Sequence, residues 1–363
     1  MRCDVIPEMD SIVLKEKRES HAPLVLVDIR ESFERELGYI KSSVHVAQDT
    51  LASQASKIIP NKEHCVVCYC AGGFRSKQAV SALKKIGYSN VWSLRGGFQE
   101  WQKFGFEAFY PSSLDEDVRK RYQRQIVLPE VGVAGQKKLL EAKVLLVGVG
   151  GLGSAIGAYL AAAGIGTLGI VDGDMVEESN LHRQILHHED QLGKPKIQSA
   201  LASIKAINSK TKVIPYYEHL EKNSAYQIMK DYQIVVDGSD NYAARFAIND
   251  TCTVLQIPCV YGSVYRFEGQ VSVFDTKNGG PCYRCLVPEA PPADQSPSCA
   301  QAGVLGVLPG IIGMLQAVET IKIVLGKGDL LRGRLLCYQA LEARFKEFAF
   351  KKNKYCVCGT LRP

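Results

Sequence analysis

Residues 143–174 read KVLLVGVGGLGSAIGAYLAAAGIGTLGIVDGD: an apolar run, a glycine-rich turn and a second apolar segment that ends in acidic residues. A buried strand, a glycine turn and a helix in this order are typical of a nucleotide site, because the glycines let phosphate approach the helix N-terminus. An acidic residue about twenty positions further on typically binds ribose hydroxyls. These positions are Gly148, Gly150, Gly151, Gly153 and Asp172. Alone, the pattern indicates a nucleotide or a glycine-rich packing turn, and a dinucleotide oxidoreductase is its first interpretation.

The composition of the whole chain fits a globular protein of more than one domain. The chain has 363 residues, of which 46% are hydrophobic and 23% charged, and its net charge is +6. It contains no lysine or arginine block of the nucleic-acid type, no apolar core of a secretory signal at the N-terminus, and no long uncharged apolar run. We therefore expect a soluble cytoplasmic protein with no membrane and no direct nucleic-acid partner. Its twelve cysteines indicate metal ligation, sulfur chemistry or core packing rather than disulfides.

A cysteine-rich turn lies in the first third of the chain, at HCVVCYCAGGFRSKQAV, residues 64–80. The apolar run predicts a buried strand up to Cys70, and helical spacing follows it. Backbone N–H groups at such a turn, with the positive end of the helix, favour an anionic sulfur. Cys65 and Cys68 lie inside the strand and lack these surroundings. Only four residues separate Cys70 from Arg75, one fewer than in cysteine phosphatases, which favours a single sulfane sulfur as the guest.

The stretches LVDIRESFERELGYIKSSVHV, CAGGFRS and GYSNVWSLRGGFQEWQ resemble successive signatures of a single-domain rhodanese. The resemblance implies that Cys70 carries a persulfide, stabilised by the loop amides and Arg75. We predict a rhodanese-like parallel-sheet α/β domain at residues 1–107, a linker at 108–118 around Pro111, and a larger second domain at 119–363. A structural cysteine beside a glycine turn is the alternative.

Charged residues around the glycine turn decide which nucleotide chemistry it serves. RYQRQIVL precedes the turn, and DGDMVEESNLHRQ, GKPK and VVDGSDN follow it. They bring Arg124, Arg183 and Lys196 together with the carboxylate of Asp240. These residues suit a polyphosphate with Mg²⁺, whereas hydride transfer needs none of them. Taken singly, each charge is also compatible with a solvated surface residue.

This constellation resembles the MoeB/ThiF family, the ubiquitin-activating-like adenylyltransferases of sulfur-carrier proteins, across residues 119–363. The resemblance implies a Rossmann-like, ubiquitin-activating-type fold that uses ATP and Mg²⁺ as a homodimer. It also implies that Asp240 holds magnesium and that Arg124 reaches into the partner's nucleotide site. The implied nucleotide-binding set is completed by the glycines of the turn, by Asp172 on the ribose, by Asn180, Arg183 and Lys196 on the triphosphate, and by Asn241.

Two further groups of cysteines suggest roles in the second domain. Cys282 and Cys285, in CYRC, form half of a zinc site, because two thiolates three positions apart can bind one tetrahedral metal. The family has a second C-x-x-C near the C-terminus, whereas this chain reads YCVCG. We predict that Cys356 and Cys358 complete a Zn²⁺ site with altered geometry, against a metal-free packed tail. Cys299 lies in a proline-rich loop, and the resemblance implies that it is the sulfur-acceptor cysteine; a free surface thiol is the alternative.

Together these features predict a two-step sulfur activation. The C-terminal carboxylate of a ubiquitin-like carrier ending in Gly-Gly would attack the α-phosphate of ATP, giving an acyl-adenylate and pyrophosphate. Cys70 would take sulfur from thiosulfate or from the persulfide of a cysteine desulfurase and pass it on, so that the carrier ends as a thiocarboxylate. The carrier belongs to molybdopterin, thiamine or tRNA-thiolation chemistry, and the sequence does not separate these three.

Two other functional classes remain open from the sequence. One is an NAD-dependent oxidoreductase with a rhodanese appendage, and the other is a non-catalytic scaffold that binds a ubiquitin-like protein. In the fused eukaryotic relatives the rhodanese domain follows the adenylyltransferase, whereas here it comes first. The sequence therefore leaves open whether sulfur passes within one protomer or between two.

Overall fold

The computed structural model describes residues 6–111, 114–291, 303–356 and 358. It forms two compact units, Met1–Val133 and Ala134–Pro363. Both are α/β, as expected, and the smaller unit with its parallel sheet comes first. The first unit extends beyond residue 107 because Tyr39 and Phe109 exchange two backbone hydrogen bonds of 2.8 and 2.9 Å. The exact domain boundaries stay a prediction.

The first unit is a five-stranded parallel sheet in the order β1-β5-β4-β2-β3. Its strands are β1 (Glu8–Met9), β2 (Leu24–Asp28), β3 (Val44–His45), β4 (Cys65–Tyr69) and β5 (Val91–Leu94). Its helices are α1 (Ser11–Glu19), α2 (Ser32–Glu36), α3 (Leu51–Ile58), α4 (Phe74–Lys85), α5 (Gly97–Lys103) and α6 (Glu116–Ile126).

The side chains of β4 alternate between two hydrophobic cores, one on each face of this sheet. Val66, Cys68 and the following Cys70 pack with residues of α3 and α4. Val67 and Tyr69 point the other way and pack with residues of α1 and α5. Because successive side chains of a strand face opposite sides, an unbroken apolar run is what a strand buried on both faces requires.

The second unit has an eight-stranded sheet in the order β13-β12-β11-β10-β9-β6-β7-β8, parallel from β10 to β8 and antiparallel from β10 to β13. The strands are β6 (Lys143–Val147), β7 (Thr167–Val171), β8 (Lys212–Tyr216), β9 (Ile234–Asp237), β10 (Cys259–Tyr265), β11 (Glu268–Phe274), β12 (Arg334–Gln339) and β13 (Arg344–Ala349). The helices are α7 (Gly132–Glu141), which begins at the division between the units, α8 (Gly151–Ala163), α9 (Lys196–Ile207), α10 (Lys222–Met229), α11 (Tyr242–Leu255), α12 (Tyr283–Leu286) and α13 (Leu308–Leu325).

Helix α13 is long and apolar enough to cross a membrane by length and composition, but half of it is buried within the fold. It packs on α8, β10 and β11. Its fully buried Gln316 donates hydrogen bonds of 2.7 and 3.1 Å to the carbonyls of Asp237 and Val260, where β9 and β10 lie side by side. These contacts make α13 a core helix of the second unit.

Candidate functional site

In the first unit, Cys70 lies immediately after β4, at the N-terminus of α4. Its sulfur is almost fully buried and accepts a hydrogen bond of 3.1 Å from the backbone N–H of Gly73. The hydroxyl of Ser76 lies 3.6 Å from the same sulfur. The backbone N–H of Gly73 and the N-terminus of α4 thus lie at this sulfur, and the role of Cys70 as a persulfide carrier stays a prediction.

The other two cysteines of the stretch have unfavourable surroundings for a thiolate. Complete burial raises the pKa of the Cys68 thiol to about 12. Burial also raises the pKa of Cys65, and the nearby charge of Lys17 offsets this only in part. Both remain neutral thiols near pH 7, so neither is suited to act as a nucleophile.

A glycine turn from the next strand closes the cysteine loop from the other side. The carbonyl of Cys70 accepts a 2.8 Å hydrogen bond from the N–H of Phe98, and the carbonyl of Ala71 accepts one of 3.0 Å from Gln99. Gly97 has a φ of +56°, and a Cβ there would collide with the carbonyl oxygen of Cys70. The LRGGFQEW segment therefore holds the backbone of the reactive loop.

Arg75 is paired with a carboxylate of α2. Its two terminal nitrogens donate hydrogen bonds of 2.6 and 2.7 Å to the two oxygens of Glu34. Glu34 raises the pKa of Arg75, with a smaller contribution from the charge of Cys70. Burial raises the pKa of Glu34, but the hydrogen bond and charge of Arg75 outweigh it, so its pKa lies below the usual value. Glu34 was missed from the sequence, and the role of Arg75 in stabilising a persulfide stays a prediction.

A buried cluster of charged residues lies at the C-terminal end of β4, next to the cysteine loop. Asp28 is fully buried and accepts hydrogen bonds from Arg30 (2.7 and 2.9 Å), Arg35 (3.2 Å) and the hydroxyl of Tyr69 (2.8 Å). Burial alone would raise the pKa of Asp28, but Arg30 and Tyr69 lower it below its usual value. Because Tyr69 precedes Cys70 directly, this cluster fixes the strand end from which the reactive cysteine projects.

In the second unit, the glycine loop between β6 and α8 opens onto a cavity of about 700 Å³. That volume is within the range of small-molecule sites. Gly148 has a φ of +86°, and a Cβ there would lie 2.8 Å from the carbonyl oxygen of Gly238. Glycine is therefore required at this turn both for the backbone angle and because the backbone after β9 approaches closely.

Asp172, at the end of β7, is held by the loop that it faces. One carboxylate oxygen accepts the N–H of Val149 at 2.9 Å, and the other accepts the N–H of Asp174 at 2.8 Å. Burial raises the pKa of Asp172, and the charge of Lys196 opposes this. The carboxylate thus lies at the cavity wall, in the position from which an acidic group can accept hydroxyl donors.

Two of the three predicted cations, Lys196 and Arg183, line the same cavity as the predicted magnesium ligand. Lys196, the first residue of α9, is 7% exposed and binds Asp174 at 2.7 Å. Arg183 donates to the side chain of Asn180 at 2.9 Å. Asp240 is exposed and, within the described residues, makes no ion pair. The predicted residues that line the cavity are Gly148, Gly150, Gly151, Asp172, Arg183, Lys196, Asp240 and Asn241.

Gly153, Asn180 and Arg124 are described by the structure but do not line the cavity. Gly153 packs α8 against the loop, since a Cβ there would collide with the carbonyl oxygen of Gly148. Asn180 orients Arg183 through its side chain. Arg124 lies on α6, in the first unit, and Cys299 lies outside the described residues. The reach of Arg124 into a partner's site and the acceptor role of Cys299 stay predictions.

The sequence interpretation missed His187, which lies under the glycine loop. Its Nε2 donates to the carbonyl of Val149 at 3.0 Å, and its Nδ1 accepts from the hydroxyl of Ser199 at 3.0 Å. Burial lowers the pKa of His187 to about 4, so the ring is neutral near pH 7. Gln184 and Arg245, both buried, also line the cavity and were missed. Isolated polar residues of this kind carry no periodic signal in a sequence.

Four cysteines of the second unit converge as the sequence predicted. The sulfurs of Cys282, Cys285, Cys356 and Cys358 all lie within 4.8 Å of one another. The separations are 3.5 Å from Cys282 to Cys356, 3.8 Å from Cys282 to Cys285 and 3.9 Å from Cys285 to Cys358. The shortened spacing of the C-terminal pair is therefore compatible with a four-sulfur cluster.

The second unit has a glycine loop at a cavity lined by charged residues, and the first unit has a cysteine turn at a helix N-terminus. Together they define a class of enzyme that combines nucleotide and sulfur chemistry, and the family comparisons agree. Residues 122–359 match the ThiF family, and residues 13–104 match the rhodanese-like domain. The chain belongs to the ThiF family and carries a rhodanese-like domain before the family's characteristic region.

Curated relatives are similar to the chain mainly over its second unit. The sulfur carrier protein adenylyltransferase of Thermus thermophilus is 47% identical over 244 residues, covering 66% of this chain and 90% of the relative. The SAMP-activating enzyme E1 of Haloferax volcanii is 45% identical, covering 68% and 91%. The adenylyltransferase and sulfurtransferase MOCS3 of Xenopus laevis is 48% identical, covering 66% and 53%. The chain thus aligns with about half the length of the MOCS3 relative.

Solved structures support the fold of the same region. Escherichia coli MccB with ATP superposes with a TM-score of 0.58 at 20% identity, covering 68% of this chain and 75% of that protein. PaaA superposes with a TM-score of 0.58 at 23% identity, covering 68% and 77%. At these identities the likeness concerns the fold alone.

Proposed function

We propose that this protein adenylylates the C-terminal glycine of a ubiquitin-like sulfur carrier with ATP and supplies the sulfur from a persulfide on Cys70. The observation that carries the proposal is the single cavity wall shared by the glycine loop, Lys196, Arg183 and Asp240. The Thermus thermophilus and Xenopus laevis relatives are named as adenylyltransferases, and the Xenopus laevis relative is also named as a sulfurtransferase. In this chain the glycine loop suits the adenylyltransferase activity, and the cysteine loop suits the sulfurtransferase activity.

The residues of the cavity fit the charge problem of the reaction. A carboxylate must approach a triphosphate, so two anions meet, and nearby cations lower the cost of that approach. At the cavity, Lys196 donates a hydrogen bond to Asp174, and Arg183 donates one to Asn180. On binding, the triphosphate would replace these partners. Asp240 would hold the Mg²⁺ that accompanies ATP and neutralises charge on the phosphate oxygens.

The cysteine cluster fits zinc. Four sulfurs around a tetrahedral Zn²⁺ with bonds of about 2.3 Å lie about 3.8 Å apart. Three of the six separations, at 3.5 to 3.9 Å, bracket that value, and all six are within 4.8 Å. Cys282 and Cys285 would hold the ion with Cys356 and Cys358, and the ion would act as a structural link. Metal analysis of the purified protein should find zinc in equal amount to the chain.

The remaining partners follow from the same proposal. The carrier ends in Gly-Gly, an upstream donor loads Cys70, and Arg124 acts across a homodimer in the cytoplasm.

The decisive experiment supplies the purified chain with ATP, Mg²⁺ and Gly-Gly-ended carriers and follows the exchange of labelled pyrophosphate into ATP. Exchange that depends on the carrier and on its terminal glycine supports adenylylation. Carrier binding without exchange would instead indicate a scaffold. Binding and turnover of a nicotinamide cofactor without exchange would indicate an oxidoreductase, and either result would refute the proposal.

A further inference from the structure

The pair formed by Arg75 and Glu34 changes the charge that the cysteine loop presents. Both oxygens of the Glu34 carboxylate are engaged by Arg75, and one also accepts the N–H of Glu31 at 3.0 Å. The side chain of Glu34 is 15% exposed and that of Arg75 is 36% exposed. A two-point pair of this kind between partly buried groups is more persistent than a surface ion pair. The positive charge of Arg75, which lies close enough to Cys70 to be influenced by its charge, is therefore largely cancelled by Glu34.

An anion that enters this site consequently meets a carboxylate as well as a guanidinium. Glu31, also on the side of Arg75, is exposed and adds a second negative charge. A free arginine beside a cysteine turn would attract a doubly charged donor strongly. An arginine that is already paired gives such a donor little net attraction, because the carboxylate repels it over nearly the same distance.

The rim of the same turn is apolar. Phe74, the first residue of α4, is 84% exposed and makes no ring contact with another aromatic residue in the described part of the chain. It stands between Gly73, which donates to the Cys70 sulfur, and Arg75. An exposed phenylalanine contributes nothing to binding a small inorganic anion, but it offers contact area to a donor carried on a polypeptide.

We propose that Glu34 is a specificity-determining residue, which disfavours small dianionic sulfur donors such as thiosulfate and favours a singly charged persulfide carried on a peptide or protein. The inference rests on the proposed role of Cys70 as the sulfur-accepting nucleophile. It narrows the two donor classes that the sequence left open to one.

The transfer is balanced for either donor and needs no external oxidant. The Cys70 thiolate attacks the sulfane sulfur, a new S–S bond forms at Cys70, and the donor's S–S bond breaks. The electron pair of that bond leaves on sulfite when thiosulfate is the donor, or on the donor thiolate when a persulfide is the donor. The two donors therefore differ in charge and size, not in the chemistry required of the loop.

The test compares thiosulfate with a capped, otherwise uncharged peptide that carries one cysteine persulfide. Loading of Cys70 in the full chain is measured by mass spectrometry and by thiocyanate release on adding cyanide. Because the Coulomb energy scales with the charge of the donor, Glu34→Gln should lower KM for thiosulfate about tenfold but KM for the peptide only about threefold. The kcat for both donors should stay within about twofold, since Glu34 acts on binding.

Two matched variants separate charge from shape. Glu34→Asp keeps the negative charge and should keep the wild-type KM for thiosulfate. Glu36→Gln removes the same charge from an exposed position of α2 and should change neither KM. The gain of Glu34→Gln should also shrink when salt is raised from about 0.01 to 0.15 M, as the screening length falls from about 30 to 8 Å. Phe74→Ser should raise KM for the peptide about threefold and leave thiosulfate unchanged, as expected for lost apolar contact.

An unchanged thiosulfate KM in Glu34→Gln, or equal changes for both donors, would overturn the inference. If that variant does not fold, the wild-type salt dependence decides, because a thiosulfate KM that rises steeply with salt would mean that Arg75 is electrostatically free. A folded wild-type chain that neither donor can load would instead refute the proposed sulfurtransferase function.

Discussion

The cysteine loop, between β4 and α4, and the glycine loop, between β6 and α8, have the same kind of structure but differ in the group that they surround. Each follows a buried parallel strand, turns through a glycine with positive φ and opens a helix. In the cysteine loop the N–H of Gly73 bonds to a sulfur that belongs to the chain. In the glycine loop the N–H of Val149 bonds to Asp172, and the space beyond is a cavity of about 700 Å³.

The difference teaches how one turn serves two chemistries. At the cysteine loop the reacting atom is built in and nearly buried, so the loop needs to accommodate only one additional sulfur. At the glycine loop the reacting atoms arrive with the nucleotide, so the surrounding charges must come from several elements. Helix N-termini favour anions in both cases, and the size of the space decides which anion is held.

The comparison is tested most strongly by removing the built-in atom. Cys70→Ala should abolish sulfur loading from any donor, because no other described cysteine of the loop has a favourable thiolate environment. Pyrophosphate exchange should stay within about twofold of wild type, since the glycine loop keeps its own residues. Loss of exchange in this variant would contradict the assignment of the two steps to separate turns.

The converse variant is Asp240→Asn, which keeps the side-chain shape but removes the charge proposed to hold magnesium. We expect exchange to fall about 10²- to 10³-fold, the usual range for removing one electrostatic contributor from an active site. Loading of Cys70 should be unaffected. The pyrophosphate-exchange and sulfur-loading assays are run on one preparation. An undiminished exchange rate would show that Asp240 does not contribute to adenylylation.

A smaller effect is expected from the backbone of the glycine loop. Gly148→Ala adds a Cβ 2.8 Å from the carbonyl oxygen of Gly238 and should raise KM for ATP about tenfold through displacement of the loop. Gly193→Ala is the matched control, because Gly193 also has a positive φ, +74°, but no atom lies within 4 Å of its added Cβ. Equal effects in both variants would show that backbone strain, not the close approach, is responsible.

The smallest effect concerns His187 and pH. The folded-state pKa is about 4, against the usual 6.5, so the unfolded chain takes up a proton first as pH falls. The contribution of neutral His187 is thus fully present above about pH 6.5 and is lost between about 6.5 and 4. His187→Gln should reduce this acid-dependent loss, with a difference of a few degrees in Tm between pH 7 and pH 5. Parallel Tm curves for the two proteins would rule out the effect.

The sequence predicted those parts of the two sites that depend on local order along the chain. The unbroken apolar run before Cys70 predicted a buried strand, and β4 is buried between cores on both of its faces. The glycine spacing near residue 150 predicted the turn, because only glycine tolerates the backbone angle and the close contacts found there. The C-x-C tail departs from the spacing expected for the second pair of ligands, yet its sulfurs reach the cluster.

What the sequence did not predict depends on partners brought together by folding. Glu34 lies 41 residues from Arg75 and reaches it through the packing of α2 against the cysteine loop. His187 contacts a carbonyl 38 residues earlier. No sequence motif relates either residue to its partner at such a separation. Their contacts therefore follow only from the three-dimensional structure.

The cysteine cluster also sets an order of events during synthesis. Cys282 and Cys285 lie more than seventy residues before Cys356 and Cys358. The first unit has its own two cores and can complete its fold while the ribosome is still making the rest of the chain. The cluster can close only after β12 and β13 have been translated, so its four sulfurs come together later than the two cores of the first unit can form.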